Sequence, residues 1–363
     1  MLVGYRNLKQ IDETANSLIY EGVREQDNLA VIIKLIKQKY PTPETIHRFR
    51  QEYEIINCLD HPGIIKTYDL LRQNNQLAIV LENFSAKSLK NLAQETRFSL
   101  SEIIHLGIKI IDALSVVHQA NVIHKDINPS NILFNRHTKT LKIIDFGIAT
   151  QLPKEQKSIQ NYNTIEGTLE YISPEQTGRM NRSLDYRTDY YSLGITLYQL
   201  LTQQLPFDAQ YPPELIHCHL AKIPTSPQQL NPDIPFSVSG IVMKLMAKNA
   251  EDRYQSAAGI KHDLKICLQQ SNDEGIIKEF ALGQKDICDR FIIPDKLYGR
   301  EAEIKVLLNS FERVAKGHSE LMLVAGLSGI GKTALINEVH KPITKEKGYF
   351  ICLLYTSPSP RDS

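Results

Sequence analysis

A chain of 363 residues, 42% of them hydrophobic, carries enough apolar side chains for one large domain or two, which excludes a disordered chain. Lys+Arg at 42 against Asp+Glu at 41 leaves a formal charge of +1, so no global field draws it toward nucleic acid or an anionic membrane, and any phosphate chemistry has to be local. Five cysteines without a C-x-x-C pair argue against a disulfide framework and a zinc site and fit a reducing interior.

The N-terminal MLVGYRNLKQ lacks the apolar core of a signal peptide, and no run approaches the roughly 18 apolar residues of a membrane span. A cytoplasmic protein without membrane insertion is the expectation. The first eighty-odd residues read as short strands around one helix. LAVIIKLI (29–36) and QLAIVLENF (76–84) are β-branched runs. Between them PTPETIHRFRQEYEIINCL sets Ile46, Phe49, Tyr53 and Ile56 at helical spacing, with Thr42 and Pro43 as N-cap and first-turn pair.

From Ser101 the pattern turns helical. SEIIHLGIKIIDALSVVHQ and DYYSLGITLYQLLTQ (189–203) are apolar around most of their circumference, as helices in the middle of a domain are. Two short strands, NILFN and LKIIDFG, lie between them. The triplet His217-Cys218-His219 has no second ligand pair nearby and adjacent residues point apart, so it reads as structural. Helix continues through 237–268, and QQSNDEGIIKEFALGQKD then turns polar and charged, a linker over 269–296. LYGREAEIKVLLNSFERVAKG is a helix by periodicity, followed by the strand ELMLVA and directly by GLSGIGKTAL, the opening of an α/β nucleotide domain.

Taken in order, Lys34 in VIIK, Glu52 in FRQEYEII, Asp126 and Asn131 in HKDINPSN, Asp145 in IIDFG and the stretch GTLEYISPE resemble the protein kinase family in identity and spacing. The resemblance runs through Asp189 and Gly194 to Arg253 and covers about residues 5–268. It implies an α+β two-lobed protein kinase fold over 1–268, with an N-lobe of about 1–84 and a C-lobe of about 85–268. It also implies ATP with Mg²⁺ or Mn²⁺, and a protein substrate offering Ser or Thr. Phosphoryl transfer asks mainly for positioning and charge neutralisation. On the family pattern Lys34 holds the α/β-phosphates and Glu52 holds Lys34. Asn131 and Asp145 take the metal ions, because hard cations prefer oxygen ligands. Asp126 orients the substrate hydroxyl, and Ile11, Ile19, Ile32, Glu82 and Phe84 complete the nucleotide site. Thr168 is expected near the catalytic aspartate, as in the Ser/Thr-specific branch, and Glu175 is expected to pair with Arg253 as a buried structural salt bridge.

Three departures from the pattern stand out. Asp12, Thr14 and Ser17 occupy the places of the glycines in G-x-G-x-x-G, which removes backbone freedom at positive φ, although Asn16 and Ser17 could still donate to phosphate oxygens. Ile32 replaces the small alanine that faces the base and tightens the adenine slot. Asn128 replaces the lysine that bonds the transferred phosphoryl group; it keeps a hydrogen-bond donor and loses a charge worth about 2–4 kcal/mol in a dry site. Two readings therefore stay open: an active kinase, with Asp126, Lys34, Glu52 and Asn128 as its catalytic set, and an ATP-binding pseudokinase or docking module that regulates downstream domains. Lys125 replaces the arginine of H-R-D, so a phosphate on Ser158 or Thr164 would meet a point charge in place of a bidentate fork. A polar loop without a phosphosite is the other reading of that segment.

GLSGIGKT fits G-x-x-x-x-G-K-[ST] as Gly326, Gly331, Lys332 and Thr333. The pattern surrounds a β-phosphate with backbone N–H groups, sends Lys332 to the β/γ oxygens and uses Thr333 as an Mg²⁺ ligand; a structural glycine turn is the alternative. With LYGREAEI before it and NEVHKPI after it, the whole resembles the cyanobacterial-type signalling proteins that join an N-terminal Ser/Thr kinase to an AAA-like ATPase. In that family a GAF sensor and a histidine kinase commonly come next, so downstream sensor modules are implied partners. Residues 297–351 are expected to be the truncated start of the P-loop domain, without an acidic Walker B strand and without hydrolysis of its own. CLLYTSPSPRDS (352–363) resembles translated sequencing adapter and is set aside as non-native.

Overall fold

The computed structural model describes residues 3–73, 76–151, 166–178, 183–209, 211–273, 276–288, 299–327 and 330–337. The N-terminal lobe is built from β1 (Tyr5–Glu13), β2 (Ser17–Arg24), β3 (Leu29–Ile36), α1 (Pro43–Asn57), β4 (Thr67–Gln73) and β5 (Gln76–Glu82). The strands form one antiparallel sheet in the order β1-β2-β3-β5-β4. Side chains alternate across a strand, and β3 uses this to separate two tasks. Val31 and Ile33 are fully buried on one face with Ala78 and Val80, while Ile32 and Lys34 turn to the other, toward the space between the lobes. On that second face α1 packs Phe49 against Ile36, Leu77 and Ile79.

The helix starts where its sequence calls for it. The Thr42 hydroxyl accepts from the Thr45 N–H at 3.2 Å and Pro43 opens the first turn, where no intrahelical N–H is lost. Its buried residues are Phe49, Ile55, Ile56 and, against the apolar pattern, Glu52.

The C-terminal lobe continues as β6 (Lys87–Ser88), α2 (Leu89–Glu95), α3 (Leu100–Gln119), β7 (Val122–Ile123), β8 (Ile132–Asn135), β9 (Thr140–Ile143), β10 (Thr150–Gln151), α4 (Arg187–Thr202), α5 (Pro212–Ala221), α6 (Pro227–Leu230), α7 (Phe236–Leu245) and α8 (Ala257–Asp273). β6-β8-β9 make a small sheet and β7 pairs with β10. A capping box, Ser99 with Glu102, opens α3. Both α3 and α4 are buried over much of their surface, as their all-round apolar sequences require. Gly194 lets α4 meet α7 closely: a Cβ there would lie 2.8 Å from Met246 Cγ and 2.9 Å from Leu245 Cβ.

Two expectations need correction. The polar stretch expected to be linker packs back on the C-lobe over residues 276–288. Ile277, Phe280 and Leu282, half-buried, pack against the core, the Lys278 carbonyl accepts from Ser237 Oγ at 2.9 Å, and the Gly283 N–H donates to Asp263 at 2.7 Å. The Asp286 carboxylate accepts from the Gln255 and Ser256 N–H groups at 2.8 Å each, just before α8. Polar composition misled because Asp286 and the main chain of Lys278 and Gly283 bond to the lobe, while Ile277, Phe280 and Leu282 pack on it.

The second correction concerns ELMLVA. It comes after α9 (Glu301–Ala315) and before α10 (Lys332–Asn337) as expected, but it forms no strand among the described residues, and Leu321 and Leu323 stand 100% and 90% exposed. A β-pattern without a neighbouring strand has no ladder to join. No described helix is long and apolar enough to cross a membrane.

Candidate active site

Ile11, Ile19, Ile32, Lys34, Glu82 and Phe84, all expected at the nucleotide, line one cleft of about 660 Å³ between the lobes. Asn131 and Asp145 line it too. The apolar residues Leu81, Leu133 and Ile144 share the lining and were missed. Their signal was adjacency: Leu81 pairs with Ile32 across the sheet and precedes Glu82, Leu133 lies two residues past Asn131, and Ile144 precedes Asp145. The Glu82 carboxylate is spent elsewhere, on Lys142 Nζ and the Lys66 N–H, both at 2.7 Å, which leaves its main chain for the cleft.

Lys34 is the electrostatic centre. Its Nζ donates to Glu52 Oε1 at 2.7 Å, Glu52 Oε2 at 2.9 Å and Asp145 Oδ1 at 2.8 Å. Burial by itself would lower the pKa of the ammonium, but the charges of Glu52 and then Asp145 reverse this and hold it above the ordinary lysine value. The two carboxylates respond in opposite directions. Burial raises Glu52 despite the attraction of Lys34; Asp145 is lowered, chiefly by Lys34, against burial. The Asp145 charge adds to the rise of Glu52, whose side chain is 4% exposed.

Asp145 sits at φ +64° and Lys125 at +68°, backbone states that cost a non-glycine residue of order 1–3 kcal/mol and persist only when the surroundings enforce them. The enforcement is visible at both. Asp145 is held by Lys34 and by the Gly147 N–H at 3.4 Å. Lys125 is held by Asp189, a fully buried carboxylate that accepts the Lys125 N–H at 2.8 Å, the His124 N–H at 2.9 Å and His118 Nε2 at 2.8 Å. His124 in turn bonds the Ile144 carbonyl at 3.1 Å and meets the Phe146 ring edge-on at 4.6 Å. The loop around Asp126 and the turn around Asp145 are thus tied to each other.

The Asp126 carboxylate is aimed by two donors, Asn131 Nδ2 at 2.8 Å and the Thr168 N–H at 2.9 Å. Asn128, expected to keep a donor free for the phosphoryl group, has used it. Its Nδ2 donates to the Asp126 carbonyl at 3.2 Å and to Thr168 Oγ1 at 3.3 Å, its Oδ1 accepts from the Ser130 N–H at 2.9 Å, and it is 2% exposed. The short amide turns inward to brace the loop where a longer lysine would reach outward.

The turn between β1 and β2 is closed by Thr14, whose hydroxyl accepts from the Ser17 N–H at 3.0 Å while its own N–H donates to the Ser17 carbonyl at 2.8 Å. Ser17 is therefore buried and its N–H committed; Thr14 and Asp12 face the cleft in its place. Glu175 and Arg253 do form the buried pair, at 2.6 and 2.8 Å. In the second segment Gly331 takes φ +92° and Lys332 Nζ folds back onto the carbonyls of Gly326 at 2.9 Å and Leu327 at 2.8 Å, as a loop built around a lysine does. Ser158 and Thr164 lie outside the described residues, as does the side chain of Thr333.

A sheet lobe over a helical lobe, with a buried Lys–Glu pair, with Asn131 and Asp145 lining the cleft and with Asp126 hydrogen-bonded to Asn131, defines a protein kinase-type domain. The chain belongs to the protein kinase family: residues 5–264 match the protein kinase domain, and residues 296–359 match the AAA ATPase domain, the latter reaching into the stretch set aside as adapter. It is 34% identical over 270 residues to a probable serine/threonine-protein kinase of Clostridium perfringens, covering 74% of this chain and 39% of that one. It is 34% identical over 240 residues to the serine/threonine-protein kinase PrkC of Bacillus subtilis, covering 66% and 36%. It is 40% identical over 224 residues to the hybrid signal transduction histidine kinase G of Dictyostelium discoideum, covering 56% of this chain and 6% of that one. The chain thus spans about two fifths or less of the length of these relatives.

Proposed function

We propose that this chain transfers the γ-phosphate of ATP to Ser or Thr of a protein substrate in cytoplasmic signal transduction. The single observation that carries the reading is the closed Lys34–Glu52–Asp145 assembly in the cleft together with an Asp126 braced by Asn131, which lines the same cleft, and by Thr168. Lys34, kept charged by two carboxylates, offers a fixed positive charge to phosphate oxygens. Ile11, Ile19, Ile32 and Leu133 supply the apolar walls for a base. Asp126 accepts the hydrogen bond of the substrate hydroxyl and orients it.

Asp145 presents an open carboxylate and Asn131, with its amide nitrogen committed to Asp126, keeps its oxygen. Two oxygen donors on one cleft fit a hard divalent cation such as Mg²⁺ or Mn²⁺. When bound, that cation would neutralise phosphate charge. Names of relatives support the Ser/Thr assignment; the Thr168 N–H reaches Asp126 while its hydroxyl accepts from Asn128.

The AAA ATPase match and the likeness to a hybrid histidine kinase support a multidomain signalling protein, with GAF and histidine kinase modules as its implied further parts. Gly326, Gly331, Lys332 and Thr333 would form its second nucleotide site. One observation favours the pseudokinase alternative, the inward commitment of the Asn128 amide. The deciding experiment incubates the chain with Mg²⁺, labelled ATP and a generic protein substrate, beside Asp126→Ala. Label on Ser and Thr that vanishes in the variant supports the kinase; ATP-induced thermal stabilisation without transfer in either form supports the pseudokinase.

A further inference from the structure

Glu166 stands two residues before Thr168 and makes two ion pairs in opposite directions. Its Oε2 accepts from Lys125 Nζ at 2.8 Å and its Oε1 from Arg48 Nη1 at 3.0 Å. Arg48 lies on α1 one turn before Glu52, the partner of Lys34. Lys125, 4% exposed and held at positive φ, immediately precedes Asp126. A single carboxylate therefore joins the helix that sets Lys34 to the loop that sets Asp126.

The backbone reinforces the contact. Gly167 comes next at φ +103°, where a Cβ would lie 3.1 Å from the Lys125 carbonyl, so only glycine lets the two chains approach this closely. The Thr168 N–H then reaches Asp126 Oδ1, and Gln176 Nε2 bonds the Lys125 carbonyl at 2.7 Å. A cation from each lobe converging on one anion is the arrangement that a phosphorylated loop residue would otherwise satisfy, since phosphate brings extra negative charge and several acceptor oxygens to such a pair.

We propose that Glu166 is a positioning residue for phosphoryl transfer that fills the place of an activating phosphate, so that this domain holds its assembled site without phosphorylation of residues 152–165. The inference rests on the kinase reading for its catalytic consequence, but its structural part does not. Burial works against the charged carboxyl, and Lys125 followed by Arg48 overrides it and keeps Glu166 below the ordinary glutamate range, so the anion is present at neutral pH.

The test uses the full chain, with transfer rates and backbone amide exchange measured in parallel. Glu166→Gln removes the charge and is expected to lower kcat about 10- to 100-fold, the loss of one or two charge-assisted hydrogen bonds, with KM for ATP within about threefold of the parent. It is also expected to speed exchange in 43–57 and 122–131 together. Glu166→Asp restores part of both, which separates a positioning role from a folding defect. Ser158→Ala/Thr164→Ala, or phosphatase treatment, is expected to leave kcat unchanged. Unchanged kcat and exchange in Glu166→Gln would overturn the proposal, and so would loss of transfer in the Ser158→Ala/Thr164→Ala form. Should the parent transfer no phosphate at all, the functional reading fails by itself, and the exchange pattern still decides whether Glu166 couples the two elements.

Discussion

Arg253 and Glu175 meet inside the C-lobe as a two-point pair, Nη1 to Oε1 at 2.6 Å and Nη2 to Oε2 at 2.8 Å, with neither partner more than 6% exposed. The remaining donors of the guanidinium go to the carbonyls of Ala247, Arg187 and Lys248, Thr188 Oγ1 adds a bond to Glu175, and the Tyr191 ring lies 5.0 Å beneath the guanidinium carbon. Removing one partner leaves a buried charge alone, so Arg253→Ala should destabilise the domain by about 3–5 kcal/mol, and Arg253→Lys should recover only part because an ammonium cannot fork. Urea unfolding of the three proteins measures this.

The same pair sets an acid limit. Burial would raise the Glu175 carboxyl, but Arg253 holds it down to about 2. A group lowered in the folded state contributes stability that is fully present above its unfolded pKa, about 4.3, and is lost as pH falls from there toward the folded value. Between pH 5 and pH 2 the parent should therefore lose stability more steeply than Glu175→Gln. Urea midpoints across that range would show parallel curves if the pair carried no linkage.

At the cleft, Asp145 serves Lys34 and the proposed cation together. Asp145→Asn keeps the size of the side chain and removes the charge, and is expected to reduce transfer about 10²–10³-fold while raising the Mg²⁺ concentration needed for half-maximal rate. A Mg²⁺ titration of initial rates reads both. An unchanged Mg²⁺ requirement would place the cation elsewhere.

Asn128 braces the loop and does not line the nucleotide cleft. Asn128→Ala should orphan the Ser130 N–H and loosen Asp126, lowering kcat by about 10- to 100-fold, the worth of one or two hydrogen bonds. KM for ATP should stay close to the parent value. A rise in KM with kcat intact would instead assign Asn128 to nucleotide binding.

The segment 276–288 makes a prediction about chain length. A form ending at residue 268 lacks Asp286 and its bonds to the backbone before α8, and should melt below a form ending at 288. Asp286→Ala in the full chain should cost about 1–2 kcal/mol, the worth of a helix-start acceptor. Thermal scans of the three forms against the parent settle the order.

Lys34, Glu52, Asp126, Asn131 and Asp145 were legible as an ordered set of polar residues, and the structure gathers them: Lys34 bonds Glu52 and Asp145, and Asn131 bonds Asp126. Helix α1 was legible for a local reason, the Thr42–Pro43 start followed by apolar residues on one face. What stayed hidden depends on distance along the chain. Glu166 finds Arg48 118 residues away, measured as 166 minus 48, and no periodicity marks either. Asn128 was visible as a departure, yet the direction of its amide is set by Thr168, a residue of another segment. The packing of 276–288 was obscured because it rests on one carboxylate, Asp286, and three apolar residues spaced among exposed polar ones, a pattern that composition alone does not separate from a linker.

The Asp286 carboxylate grips two successive backbone N–H groups and the Ser256 hydroxyl at once, and the adjoining Gln255 side chain accepts from Arg187 Nη1 at the start of α4. Three donors from two neighbouring residues thus converge on one carboxylate, so losing that single side chain removes all three bonds at once. The segment 276–288 is thereby joined, through Asp286, Gln255 and Arg187, to the first turn of α4, so the end of the C-lobe and its buried helix share one chain of hydrogen bonds.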